Sequence, residues 1–201
     1  MALIRDKYKS IAAPSEGVFK DRGSRFLALA YPVSDEEQIR SIVSSLKTKH
    51  HDARHHCYAW RLGLDGSLSR SSDDGEPSGS AGKQILGRIE SKGLSDVLVV
   101  VVRWFGGIKL GVPGLIKAYR ESTAAALEAA VEVEKTAEVP YKVTFGYLAM
   151  NDVMKVLKDM SLPQLSLECG ESCSLTTRVR LSAVEDFEAR LSRTDTCSLE
   201  K

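Results

Sequence analysis

Aromatic residues are scarce in this 201-residue chain, at 6%, and its charges nearly cancel, at a formal net charge of +1. No overall field therefore calls for nucleic acid or a membrane, and any such binding has to come from a local patch. Long apolar runs are missing as well. The run "VLVVVV" (Val97–Val102) has six residues, against the roughly 20 a membrane-crossing helix needs, so no membrane partner is expected. The opening "MALIRDKYKS" lacks the apolar stretch of an export signal, which makes the expected location cytoplasmic. Cysteine is limited to Cys57, Cys169, Cys173 and Cys197. In a cytosolic protein these are expected to be reduced. The pair in "CGESC" departs from C-x-x-C spacing and has no histidine beside it, so it reads as ordinary buried or loop thiols.

What is present is ordinary for a globular protein: 43% apolar and 27% charged residues. The first part opens with strand-like stretches, "KYKSIAA", "EGVFKDRGS" and "RFLALAYPV". Ser34 and Glu37 make a capping-box pattern. Behind it, Ile39, Ile42, Val43 and Leu46 fall on one face of a helix that fades near His50. "HHCYAWRLG" (His55–Gly63) reads as a strand. "LDGSLSRSSDDGEPSGSAG" reads as a long polar loop, and such loops are often functional. A helix follows from about Ala81 to Ser91, with Ile85, Leu86 and Ile89 on one face. "SDVLVVVVRWF" is the clearest strand, and its unbroken apolar run implies burial on both faces. The turn "GGIKLGVPG" then feeds a helix over "LIKAYRESTAAALEAAV".

"EVEKTAEV" (Glu132–Val139) reads as a charged linker. It divides the chain into an N-terminal domain, 1–133, and a C-terminal domain, 134–201. The tail reads strand "PYKVTFGYL", helix Asn151–Met160 capped by Asn151, and strands "QLSLEC" and "SLTTRVRLS". A helix over Val184–Leu191, with a second capping box from Ser182 and Glu185, and a strand "TCSLE" complete it. This βαββαβ order is that of the ferredoxin-like split unit. The fold class expected is α+β.

Four stretches carry possible chemistry. All four histidines lie in "HHDARHH". His51 and His55 have i, i+4 spacing, which holds a metal ion if the segment is helical, and Asp73, Asp74 and Glu76 would add carboxylates. No glutamate occupies the HExxH position, so the metal reading is the weaker one. Cys57 and His56 are adjacent on a strand and point to opposite faces, which favours a buried thiol over a nucleophile. "DDGEPSG" builds a turn, and residue chemistry favours a loop-organising role in which the carboxylates receive Arg61 or Arg103. Finally, "RWFGGIKLGVPGLIKAYR" holds Arg103, Lys109, Lys117 and Arg120 and no acid. Gly106, Gly107 and Gly111 let backbone N–H groups approach an anion, and a helix N-terminus follows; the same residues equally suit a tight strand–turn–helix corner with its aromatics in the core. No cofactor is called for.

Together, "DARHHCYAWRLG", "DDGEPSGSAGKQIL", "VLVVVVRWFGGIKLG" and "GLIKAYRESTAAAL" resemble the YigZ/IMPACT family, in order over about residues 10–130, and the βαββαβ tail resembles the small C-terminal domain of its bacterial members. One departure is Pro113 in "GVPGL", where family members usually have a small residue; proline removes an N–H from any anion site there. The resemblance implies an N-terminal fold similar to domain IV of elongation factor G, of the ribosomal-protein domain-2-like type, and a C-terminal domain similar to domain V. It implies an RNA- or ribosome-associated role linked to translation regulation. Arg103, Lys109, Lys117 and Arg120 would contact phosphate, with His55 and His56 lining the same groove. A protein partner for the C-terminal domain is a further expectation. The alternative is a metal-assisted hydrolase built on the His/carboxylate cluster.

Overall fold

A computed structural model describes residues 6–194 and 197–201. They form two compact units. One is Tyr8–Lys135; the other is Thr136–Lys201 with Asp6 and Lys7. Each has its own hydrophobic core.

The larger unit centres on a five-stranded antiparallel sheet. Its strands are β2 (Ser15–Asp21), β3 (Ser24–Pro32), β4 (His55–Leu62), β5 (Leu68–Ser72) and β6 (Val97–Trp104), in the order β2-β3-β6-β4-β5. Helix α1 (Glu36–Lys49) packs on one face, through Ile39 and Leu46 against Leu98, Val100 and Val102. Helices α2 (Gly82–Ser91) and α3 (Gly111–Glu128) cover the other, where Ile85, Ile89, Ala118 and Leu127 meet Val97, Val99 and Val101. Alternate residues of β6 thus enter opposite cores, which is why its apolar run is unbroken although the sheet is antiparallel.

Several boundaries differ from the sequence reading. The α1 cap is Asp35, not Ser34: its carboxylate accepts the Gln38 N–H at 2.8 Å, and Gln38 Oε1 accepts the Ser34 N–H at 2.9 Å. The acidic cap wins by one residue. The polar loop before α2 contains β5, an edge strand paired with β4. Helix α3 starts four residues early, at Gly111. Pro113 fits there because first-turn N–H groups have no partner within the helix.

The segment read as a charged linker contains the division between the two units but is built of strands. Its residues form β7 (Glu132–Thr136), which pairs with β1 (Lys7–Ile11), and the start of β8 (Glu138–Phe145). The smaller unit then runs β8, α4 (Met150–Asp159), β9 (Ser166–Cys169), β10 (Cys173–Arg180), α5 (Val184–Leu191) and β11 (Cys197–Glu200). All its pairings are antiparallel, in the order β11-β8-β10-β9. Neither expected cap there forms. Asn151 lies inside α4, and Ser182 donates to Asp6 instead of closing a box on α5. The expected strand residue Thr196 lies outside the described residues. Cys169 and Cys173 face each other in register and are joined by a disulfide, contrary to the expected free thiols.

Candidate functional site

The acidic loop turns its carboxylates inward, each to a separate task. Asp73 accepts the N–H groups of Gly79 (2.8 Å), Ala81 (3.0 Å) and Gly82 (2.8 Å). It therefore supplies the N-terminal cap of α2, whose own cap residue, Ala81, has no side chain to do so. Asp74 accepts the His56 N–H at 2.7 Å and the Lys47 ammonium at 2.8 Å. Burial alone would raise its carboxyl, but those two donors outweigh burial and hold it below the usual range. Asp74 and Gly75 both take positive φ, 40° and 87°. A side chain on Gly75 would also meet the His55 ring at 3.5 Å.

Glu76 goes deepest. Its side chain is 4% exposed, and Oε1 accepts from Arg103 Nη1 at 2.6 Å and from the Tyr119 hydroxyl at 2.8 Å. Cys57 in turn has two acceptors for its single S–H, Tyr119 Oη at 3.2 Å and the Asp73 carbonyl at 2.9 Å. Burial pushes its thiol up to about 12, outweighing the lowering effect of the hydrogen bond it shares with Tyr119. Cys57 is thus a closed link in a buried network. Desolvation, followed by the neighbouring Cys57 and Glu76, raises the Tyr119 phenol as well. Of the two arginines expected at the loop, only Arg103 arrives. Arg61 donates to the carbonyls of Leu94, Asp65 and Gly66, organising the β4–β5 turn instead.

The histidines separate. His55 lies opposite Arg103 in the sheet and donates from Nδ1 to the Asp74 carbonyl at 2.9 Å. His56 points to the α1 side and is buried, so the two do not line one groove. Burial, partly offset by Asp74, pushes the His56 imidazole below its ordinary value. His51 sits in a turn after α1 has ended. The helical i, i+4 pair behind the metal reading therefore does not form. Among the described residues no group of three or more His, Cys, Asp and Glu is arranged to hold a metal ion.

Between the acidic loop and the glycine turn lies a cleft of about 390 Å³. Glu76 and Arg103 lie at its base, Pro77, Leu110, Val112 and Leu115 form apolar walls, and Phe105 is half exposed. Arg54, His55 and Lys109 complete it, with Arg54 and Lys109 exposed. Gly111 and Val112 bring the start of α3 to this wall, with no acidic residue and no side-chain cap in its first turn. The other predicted residues lie elsewhere. Gly106 gives its N–H to Ser24 at 3.2 Å, and a Cβ there would collide with Gly23. Gly107 supplies a turn with φ of 89°. Lys117 is exposed on α3 outside the cleft lining, and Arg120 donates to Gln84 on α2 at 2.7 Å. Sequence reasoning passed over Arg54, Pro77 and the apolar wall. Arg54 lies inside the quoted "DARHHCYAW", but nothing local marks it as facing the glycine turn.

The family model of the Impact N-terminal domain matches residues 22–127, which hold every wall of this cleft. The chain belongs to the IMPACT family. IMPACT family member YigZ of Escherichia coli is 32% identical over 182 residues, 90% of this chain and 89% of that protein. IMPACT family member YvyE of Bacillus subtilis is 39% identical over 164 residues, 82% of this chain and 76% of that one. A crystal structure of a hypothetical protein, 31% identical, aligns with a TM-score of 0.76 and covers 98% of this chain and 97% of its own. The mixed α/β, two-unit fold is thus shared with a solved structure along the length of both chains. Among the described residues no helix is long and apolar enough to cross a membrane.

Proposed function

We propose that this IMPACT family member is a cytoplasmic RNA- or ribosome-associated binding protein acting in translation control, and that the cleft is its contact face. One observation carries the reading. The three carboxylates of the acidic loop are held by internal partners, while Arg54 and Lys109 line the same cleft exposed. The N-terminus of α3 adds the positive end of an 18-residue helix dipole. A phosphate chain brought to this surface meets the exposed cations and the helix N-terminus, while the cleft's carboxylate, Glu76, is already paired with Arg103. Lys117 on the exposed side of α3 extends the positive track. The strand order β11-β8-β10-β9 supports a ferredoxin-like reading of the smaller unit, consistent with the resemblance to elongation factor G domains IV and V.

The test is a titration of the purified chain with single-stranded RNA and with ribosomes at several salt concentrations. Affinity should fall steeply with salt. Lys109→Ala should reduce the slope of log K against log salt by roughly 0.7, the loss of one single-strand phosphate contact. Binding that is absent, or indifferent to salt, overturns the reading.

A further inference from the structure

Phosphate contacts explain the rim of the cleft but not its interior. Pro77, Leu110, Val112 and Leu115 make an apolar slot, and Phe105 stands at it half exposed. A phosphate gains nothing from such walls. Arg103, only 6% exposed, lines the same cleft. Arg103 carries five donor hydrogens. Nη1 binds Glu76, and Nε is buried without a hydrogen-bond partner among the described residues. Buried polar groups are as a rule satisfied, so this guanidinium, on a side chain that lines the cleft, is left with donor capacity its protein neighbours do not fill. The volume, about 390 Å³, is at the small end of ligand-sized clefts, roughly 300–1,000 Å³.

We infer that the cleft captures one unpaired nucleobase of a single-stranded RNA, stacked on Phe105 between the apolar walls, with an acceptor on its edge facing the Arg103 guanidinium. This rests on the RNA-binding reading and adds its substrate class: a splayed-out base, which a duplex does not present. Stacking is tolerant of sequence because every base has a π face. The phosphate of the same nucleotide falls toward Lys109 and Arg54, so the two halves of the site read the two halves of one nucleotide.

The experiment uses the full chain and a short single-stranded ribo-oligonucleotide carrying 2-aminopurine at its centre, whose fluorescence reports stacking. Binding should change the fluorescence saturably, and duplex RNA of the same sequence should compete poorly. Phe105→Ala, at an exposed position the fold tolerates, should weaken binding about fivefold or more and abolish the fluorescence change while leaving the salt slope intact. Lys109→Ala should do the reverse, lowering the slope but preserving the signal at saturation. Salt-dependent binding with no fluorescence change, or with Phe105→Ala as tight as the parent chain, overturns base capture and leaves the RNA reading standing. No binding of any RNA overturns both.

Discussion

Arg103 and Glu76 lie 27 positions apart in sequence and 2.6 Å apart in space, both nearly sealed from solvent. The pair ties the central strand β6 to the acidic loop, and Tyr119 ties the same carboxylate to α3. Three elements of the cleft are therefore held by one buried charge. Such a pair costs desolvation, so it contributes little net stability, but breaking it leaves an uncompensated charge. Arg103→Met is expected to destabilise the chain by about 3–5 kcal/mol in urea unfolding. The double variant Glu76→Gln with Arg103→Met should recover much of that loss. If the double variant is as unstable as the single one, the pair is not the source.

His56 makes the fold sensitive to mild acid. Its folded pKa is depressed, chiefly by burial, so the unfolded chain binds a proton more readily than the folded one. Stability from this group is complete above the unfolded value, about 6.5, and is lost as pH falls from there toward the folded pKa. Unfolding midpoints measured from pH 8 to 5 should decline below about 6.5. His56→Phe, which does not titrate, should flatten that decline; an unchanged profile would assign it to other groups.

Cys57 should be chemically silent. With its thiol pushed up to about 12 and closed off by Tyr119 and the Asp73 carbonyl, almost no thiolate exists at neutral pH. Iodoacetamide at pH 8, followed by peptide mapping, should leave Cys57 unmodified in the native chain and modify it after denaturation. Rapid native labelling would revive the nucleophile reading.

Gly106 is constrained by approach, not by ligand. A Cβ there would stand within bond-length range of the Gly23 backbone, where the β2–β3 hairpin crosses the end of β6. Gly106→Ala should cost about 3 kcal/mol through overpacking. Gly87→Ala, where a Cβ meets nothing within 4 Å, should be neutral or slightly stabilising. Equal effects in thermal unfolding would contradict this assignment.

Local pattern was a good guide where the partner was local. The face of α1 from Ile39 to Leu46 and the apolar run of β6 could be read directly, because helix period and unbroken hydrophobicity are properties of one segment. β7 could not be read, since "EVEKT" is a strand only by virtue of β1, more than a hundred residues earlier in the chain. The α1 cap moved by one residue because the Asp35 carboxylate, a charged and so stronger acceptor, takes the Gln38 N–H, while the Ser34 hydroxyl is spent donating toward Asp35 and Gln38. At the site, the glycine turn and the acidic loop could each be recognised by motif. Their meeting, and the inclusion of Arg54 between them, depends on the register that sets His55 opposite Arg103. Composition carries no trace of that register.

The inward turn of Asp73, Asp74 and Glu76 also changes how the chain looks from afar. A polyanion approaching from a Debye length away, about 10 Å at moderate salt, does not feel three negative charges from the "DDGE" loop. Each is already opposed at short range, by the α2 dipole, by Lys47 and by Arg103. On the proposed reading, the exposed Arg54 and Lys109 then meet that polyanion with the carboxylates of this loop already engaged.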